Sequence, residues 1–213
     1  LKNNGVQLVG FHSLLFNRPD LKFFKDKEKR LETIVYLEKL SELCQELGGS
    51  QIILGSPANR ALHGKPYKSC VDQILEDFYL ISEKCKKDDI FFCLEPLSKS
   101  MSDFITSSSE AGDIINQINH DYLKLHLDTK TIFENNEDLE SIFNKYHDRI
   151  QHLHISEFGL TEIGKSKNNH RYVAKSLKKM NYKKFISIEM KKTNEVAIVN
   201  SINFVKNNYL QLI

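Results

Sequence analysis

Four short apolar runs in this chain each finish on a residue able to hold a cation or move a proton. IFFCLE, LKLHLD and KFISIE end on Glu95, Asp128 and Glu189, and IQHLHISE carries His154 near the end of its apolar part, with Glu157 just beyond. Glu95, Asp128, His154 and Glu189 lie 33, 26 and 35 residues apart, the length of one strand–helix unit each time. A Glu or Asp just past a strand is commonly solvated, and a lone strand histidine is more often a hydrogen-bonded core residue than a ligand. Recurrence on four successive strands is what favours a common site. Three carboxylates and one imidazole form a hard, oxygen-rich set that suits Mn²⁺ or Mg²⁺, with Co²⁺ or Zn²⁺ also accommodated. The set is too oxygen-rich for a structural zinc centre, which prefers Cys and His. Within IQHLHISE, alternation along a strand puts His152 and His154 on one face. His126 and His152 each precede a candidate ligand by two residues. They are expected one layer deeper, as hydrogen-bond partners rather than ligands.

The elements that must carry these residues alternate. Strands are expected at Gly5–Phe11, Gln51–Leu54, Ile90–Glu95, Leu123–Asp128, Ile150–Ser156 and Phe185–Glu189. Helices are expected at Lys27–Leu47, Tyr67–Lys86, Ser107–Ile118, Asp138–Tyr146, Asn169–Met180 and Asn194–Tyr209. The first carries an apolar stripe of Leu31, Ile34, Val35, Leu40, Leu43, Cys44 and Leu47, stopped by Gly48-Gly49. Such alternation, without hairpin signals, gives a parallel sheet covered by helices.

Two architectures fit: a doubly wound open sheet and a (β/α)8 barrel. No glycine-rich phosphate fingerprint follows any strand, which counts against a dinucleotide fold. Functional residues at four successive strand ends favour the barrel, where those ends converge on one mouth. Only six strands are visible, and a barrel needs eight. The reading is therefore a single (β/α)8 TIM-barrel domain over residues 1–213 whose first two strand–helix units are absent. The opening LKNN-Gly5, without Met, agrees: it reads as the end of a helix in a longer protein.

Bulk composition narrows the partners. The 213 residues are 40% hydrophobic with a net charge of +2, which supplies no electrostatic footprint for nucleic acid. No apolar run approaches the ~20 residues that span a bilayer. Cys44, Cys70, Cys85 and Cys93 show no CxxC spacing and read as small buried hydrophobes, so a reducing, cytoplasmic setting is expected.

The segments CLEP, HLDT, HLHISE and SIEM resemble the sugar-phosphate isomerase/epimerase branch of the xylose-isomerase-like TIM barrels. GFHSLLFNRPDL, ILGSPANR, DFIT and NHRYVAKSLKKMNY with KKFISIEM extend the resemblance through essentially the whole chain. It implies that the first visible strand is the family's third. It also implies that Glu95, Asp128, His154 and Glu189 bind one divalent metal, and that Glu95 and Glu189 flank the substrate and exchange protons beside its carbonyl. The implied substrate is a small sugar or sugar phosphate. A metal across a carbonyl and its neighbouring hydroxyl stabilises the enediolate formed when that carbon loses a proton. One carboxylate accepts the proton and a second, on the opposite face, returns it with inversion.

Departures from the family pattern bear on substrate. Thr131 stands where these enzymes often carry a histidine, and Leu97-Ser98-Lys99 follows the Glu-Pro pair in place of Asn and further prolines. His12, Arg60, Glu157 and His170 are further candidates for substrate contact, Arg60 through a bidentate fork on a phosphate or carboxylate. Related chemistries are a dehydratase of keto-polyols and, less well matched, an apurinic endonuclease, which would call for additional histidines and basic excess. A chain truly lacking two units would expose strand edges and favour a homodimer by strand swapping or a catalytically inactive barrel.

Overall fold

The computed structural model describes residues 4–210, and the helix end read at LKNN falls largely outside them. Gly5, just inside, has φ of 68°, the left-handed backbone expected of a helix-stopping glycine. Six strands alternate with seven helices among the described residues. The strands are β1 (Gly10–Phe11), β2 (Gln51–Leu54), β3 (Phe91–Leu94), β4 (Leu123–Asp128), β5 (Ile150–Ile155) and β6 (Ile186–Ile188). The helices are α1 (Lys27–Glu46), α2 (Tyr67–Lys87), α3 (Ser108–Ile118), α4 (Thr129–Glu134), α5 (Leu139–Tyr146), α6 (His170–Lys179) and α7 (Glu195–Val205).

Every strand pair whose register is resolved is parallel, and strand order follows chain order from β1 to β6. A doubly wound sheet reverses its order at a switch point, whereas barrel strands are laid down in sequence. The monotonic order therefore decides for barrel topology.

The chain forms two compact units, Leu1–Leu125 and His126–Ile213, with the boundary inside β4. In the first unit, α2 turns Cys70, Ile74, Phe78, Ile81 and Cys85 inward. Phe78 packs edge-on against Phe23 at 5.9 Å and Phe92 at 5.3 Å. Asp77 on that buried face is held by Arg30 of α1, at 2.7 Å from its Nε. In the second unit, Ile142 and Phe143 of α5 and Val173, Ala174 and Leu177 of α6 are buried. Side chains at the helix starts behave as their types dictate. Asp26, Ser107, Asp138, Asn169 and Asn194 each accept a backbone N–H of the first turn.

Three expectations need correction. Strand β1 is two residues rather than seven: its ladder pairs only Gly10 and Phe11 with Gln51 and Ile52, and Val6 is left exposed. The stripe of α1 is split: Ile34, Leu37 and Cys44 are buried, while Leu31, Val35, Leu43 and Leu47 are about half exposed. Helix α4, unforeseen, follows Asp128 at once; its six residues are too few to show a helical period. The closing helix stays α-helical only to Val205, then widens to a π turn over Lys206–Leu210.

No helix among the described residues is long and apolar enough to cross a membrane. All four cysteines are buried and none is in a disulfide; burial pushes the Cys85 thiol up to about 12. Phe78→Ala should destabilise the protein by about 3–5 kcal/mol, since two aromatic edges lose their partner and a cavity remains. Urea denaturation followed by circular dichroism measures it, and a loss below about 1 kcal/mol would contradict the packing described.

Candidate metal and substrate site

Glu95 lies directly after β3 in the first unit and is 3% exposed. Its backbone N–H donates to Leu54 O at 3.0 Å, which ties it to the end of β2. Its carboxylate lies over Gly55, where a Cβ would collide with Glu95 Oε2, so glycine is required there by space. His12, just past β1, brings Nε2 to 3.6 Å from the same oxygen while Ser13 Oγ bonds its Nδ1 at 3.1 Å. Backbone strain clusters here, with Ser13 at φ 55° and Ser56 at φ 45°.

Arg60 is fully buried, and none of its guanidinium nitrogens has a hydrogen-bond partner among the described residues. Burial pushes its pKa down to about 10 against the pull of Glu95 and Glu110. An enclosed cation with five unanswered donors calls for an acceptor. A cleft of about 440 Å³ opens between the loops after β2 and β3, lined by Pro57, Ala58, Ala61, Lys99, Ser100, Met101, Ser102 and Asp103. Leu97, the departure after Glu-Pro, is 4% exposed and fills core space near Gly55.

In the second unit, His154 Nδ1 is 3.3 Å from Glu189 Oε2. Both residues stand at strand ends, His154 5% exposed and the Glu189 side chain 20% exposed. Asp128 closes β4 and caps α4: its Oδ1 accepts from Lys130 N at 2.7 Å and from Ser156 Oγ. Ser156 also exchanges two hydrogen bonds of 2.8 Å with Thr129, locking the end of β4 to the end of β5. Thr131 sits on α4, 1% exposed, and its hydroxyl has no hydrogen-bond partner among the described residues. His126, His152 and His154 form a buried cluster in which one ring nitrogen of each lies within 4.8 Å of the other two.

Glu157 and His170 are brought together. Glu157, fully buried, accepts from Gly164 N at 3.1 Å, Ser166 Oγ at 2.6 Å, Asn168 Nδ2 at 2.5 Å and His170 Nε2 at 3.0 Å. His170 Nδ1 meets Tyr209 OH at 2.6 Å. Burial pushes the Glu157 carboxyl up, but the bonds from Ser166, His170 and Asn168 outweigh it and hold the group below its ordinary value. Burial lowers His170 by more than Glu157 raises it. The network fastens the loop after β5 to Tyr209. Sequence reasoning missed Gly55, Ser156 and Ser187, because small residues carry no signal until their neighbours are known.

A family model for the xylose isomerase-like TIM barrel matches residues 1–208, through both units. The chain belongs to that family. A probable ketose 3-epimerase of Synechocystis sp. is 24% identical to it over 167 residues. The aligned region covers 78% of this chain and 58% of that relative, so the chain spans little more than half the relative's length. An L-ribulose 3-epimerase structure superposes with a TM-score of 0.86 at 14% identity, covering 99% of this chain and 77% of the other. The IOLI protein, solved with a zinc atom, superposes at 0.75 with 14% identity, covering 100% and 91%. At such identities the two superpositions establish the fold.

Two outcomes follow. Gly55→Ala should displace the Glu95 carboxylate and lower any activity that depends on it at least about tenfold, with the fold retained by circular dichroism. For Glu157 and His170 both folded pKa values lie below the unfolded ones, so the folded protein binds fewer protons. Their stabilisation is present above about pH 6.5 for His170 and about 4.5 for Glu157, and is lost as pH falls through the folded values. Thermal midpoints should therefore drop with acidification, and Glu157→Gln should flatten the acid limb; an identical limb in the variant would refute the assignment.

Proposed function

We propose that this protein is a metal-dependent isomerase or epimerase of a small sugar or sugar phosphate, working by proton transfer at the carbon beside the carbonyl. The reading rests on family membership together with one observation, the approach of His154 Nδ1 to Glu189 Oε2 at 3.3 Å on adjacent strand ends. An imidazole and a carboxylate held so close, with buried Asp128 on the next strand end, suit a divalent cation: Mn²⁺ or Mg²⁺ first, Co²⁺ or Zn²⁺ next. Glu95 completes the donor set on the strength of its strand-end spacing and the family resemblance.

A bound cation supplies the positive charge that polarises the carbonyl and stabilises the oxygen anion formed on deprotonation. The chain's own groups do the rest. One of Glu95 and Glu189 takes the proton from the carbon, and the other returns one to the opposite face. Low exposure of Glu95, Asp128 and His154 excludes water and strengthens each charge interaction. His12, whose Nε2 approaches Glu95, meets a substrate hydroxyl in this reading, and Arg60 offers its donors to a substrate phosphate or carboxylate. Glu157 and His170 serve the substrate indirectly by holding the loop after β5.

With the intact protein, EDTA should abolish and Mn²⁺ restore exchange of the carbonyl-adjacent proton of a ketose for deuterium, read by NMR in D₂O. Exchange indifferent to metal would sink the reading. Glu189→Gln should slow exchange by at least about 100-fold.

A further inference from the structure

Three residues of the second unit form a rung that none of the proposed chemistry uses. Ser187, His152 and His126 each stand two residues before a strand-end donor: Glu189, His154 and Asp128 respectively. A spacing of two places each on the same face as its donor, about 7 Å further down the strand. The rung is hydrogen-bonded from end to end, with His152 Nε2 at 2.9 Å from Ser187 Oγ and His152 Nδ1 at 3.2 Å from His126 Nδ1. His126 and His152 are 0% and 2% exposed, so water does not replace these bonds.

Two ring nitrogens facing each other can bond only if one carries a proton and the other a lone pair. Bonds at both of its nitrogens hold the His152 ring plane, and that ring packs against His126. The His154 ring stands edge-on to both, with centroids 4.2 Å from His126 at 75° and 5.2 Å from His152 at 85°. A ring braced on two sides cannot turn about its χ angles, and its Nδ1 is thereby aimed at Glu189 Oε2.

We propose that His152, held between Ser187 and His126, is a positioning residue that sets the ring orientation of His154 for the cation site. The inference rests on the metal reading above, but part of its test does not. Ser187→Ala removes the hydroxyl at one end of the rung, His152→Phe keeps a ring without its nitrogens, and Ser187→Thr restores the hydroxyl.

Titration of the metal-free protein with Mn²⁺, followed by calorimetry, should show affinity roughly 10- to 100-fold weaker for Ser187→Ala and His152→Phe, the usual cost of losing such a support. Ser187→Thr should stay within about threefold of wild type. Folded variants that bind Mn²⁺ as wild type does would overturn the proposal. If wild type itself binds no Mn²⁺, the metal reading fails and ring ¹⁵N resonances decide the positioning role. Ser187→Ala should then shift the His154 ring signals and Ser187→Thr return them; unchanged signals refute it. Should His152→Phe not fold, Ser187→Ala carries both measurements.

Discussion

The strictest constraint on the second unit is the period-two alternation of its parallel strands. Once a strand is covered on its outer side by helices, every second residue faces inward, and polar groups there must find partners among themselves. Asp128 with Ser156 and Lys130, and His152 with Ser187 and His126, satisfy that demand across neighbouring strands. The deeper groups are therefore bound into a framework, and the outermost step carries the residues suited to chemistry. A change of register by one residue would turn the whole set outward at once.

The first unit meets its own demand differently. Glu95 is tied to the end of β2 by its backbone N–H, and the absent side chain of Gly55 makes room for its carboxylate. Nearby, Arg60 is the opposite case, a buried cation whose donors are unanswered among the described residues. An enclosed guanidinium that feels an enclosed carboxylate does so with little solvent screening. Ser13 and Ser56, both in left-handed backbone, flank this region as stored strain would.

Glu157 shows how a charged residue next to a site can serve the scaffold. It follows the strand that carries His154 and reads as a candidate contact, and its oxygens accept four hydrogen bonds from the loop after β5 and from His170. Through His170 the loop is anchored to Tyr209 near the end of the described chain. Loops that line an active site need such fastening if their groups are to stay within a fraction of an ångström of their places.

By itself the sequence determined the alternation of strands and helices, the parallel sheet, and the strand-end placement of Glu95, Asp128, His154 and Glu189, because these follow from local periodicity and from where each apolar run stops. It also placed Ser107, Asp138, Asn169 and Asn194 at helix starts, where each side chain accepts a first-turn N–H. Tertiary structure alone decided which flank of α1 is covered, since Leu31 and Val35 share the helical period of buried Ile34 and Leu37 but not their neighbours. It also decided that Glu157 and His170 satisfy each other, that Gly55 makes room for Glu95, and that His126, His152 and Ser187 form one rung. Each joins residues 13 to 61 positions apart, and no pattern within a single element records which distant group will stand opposite.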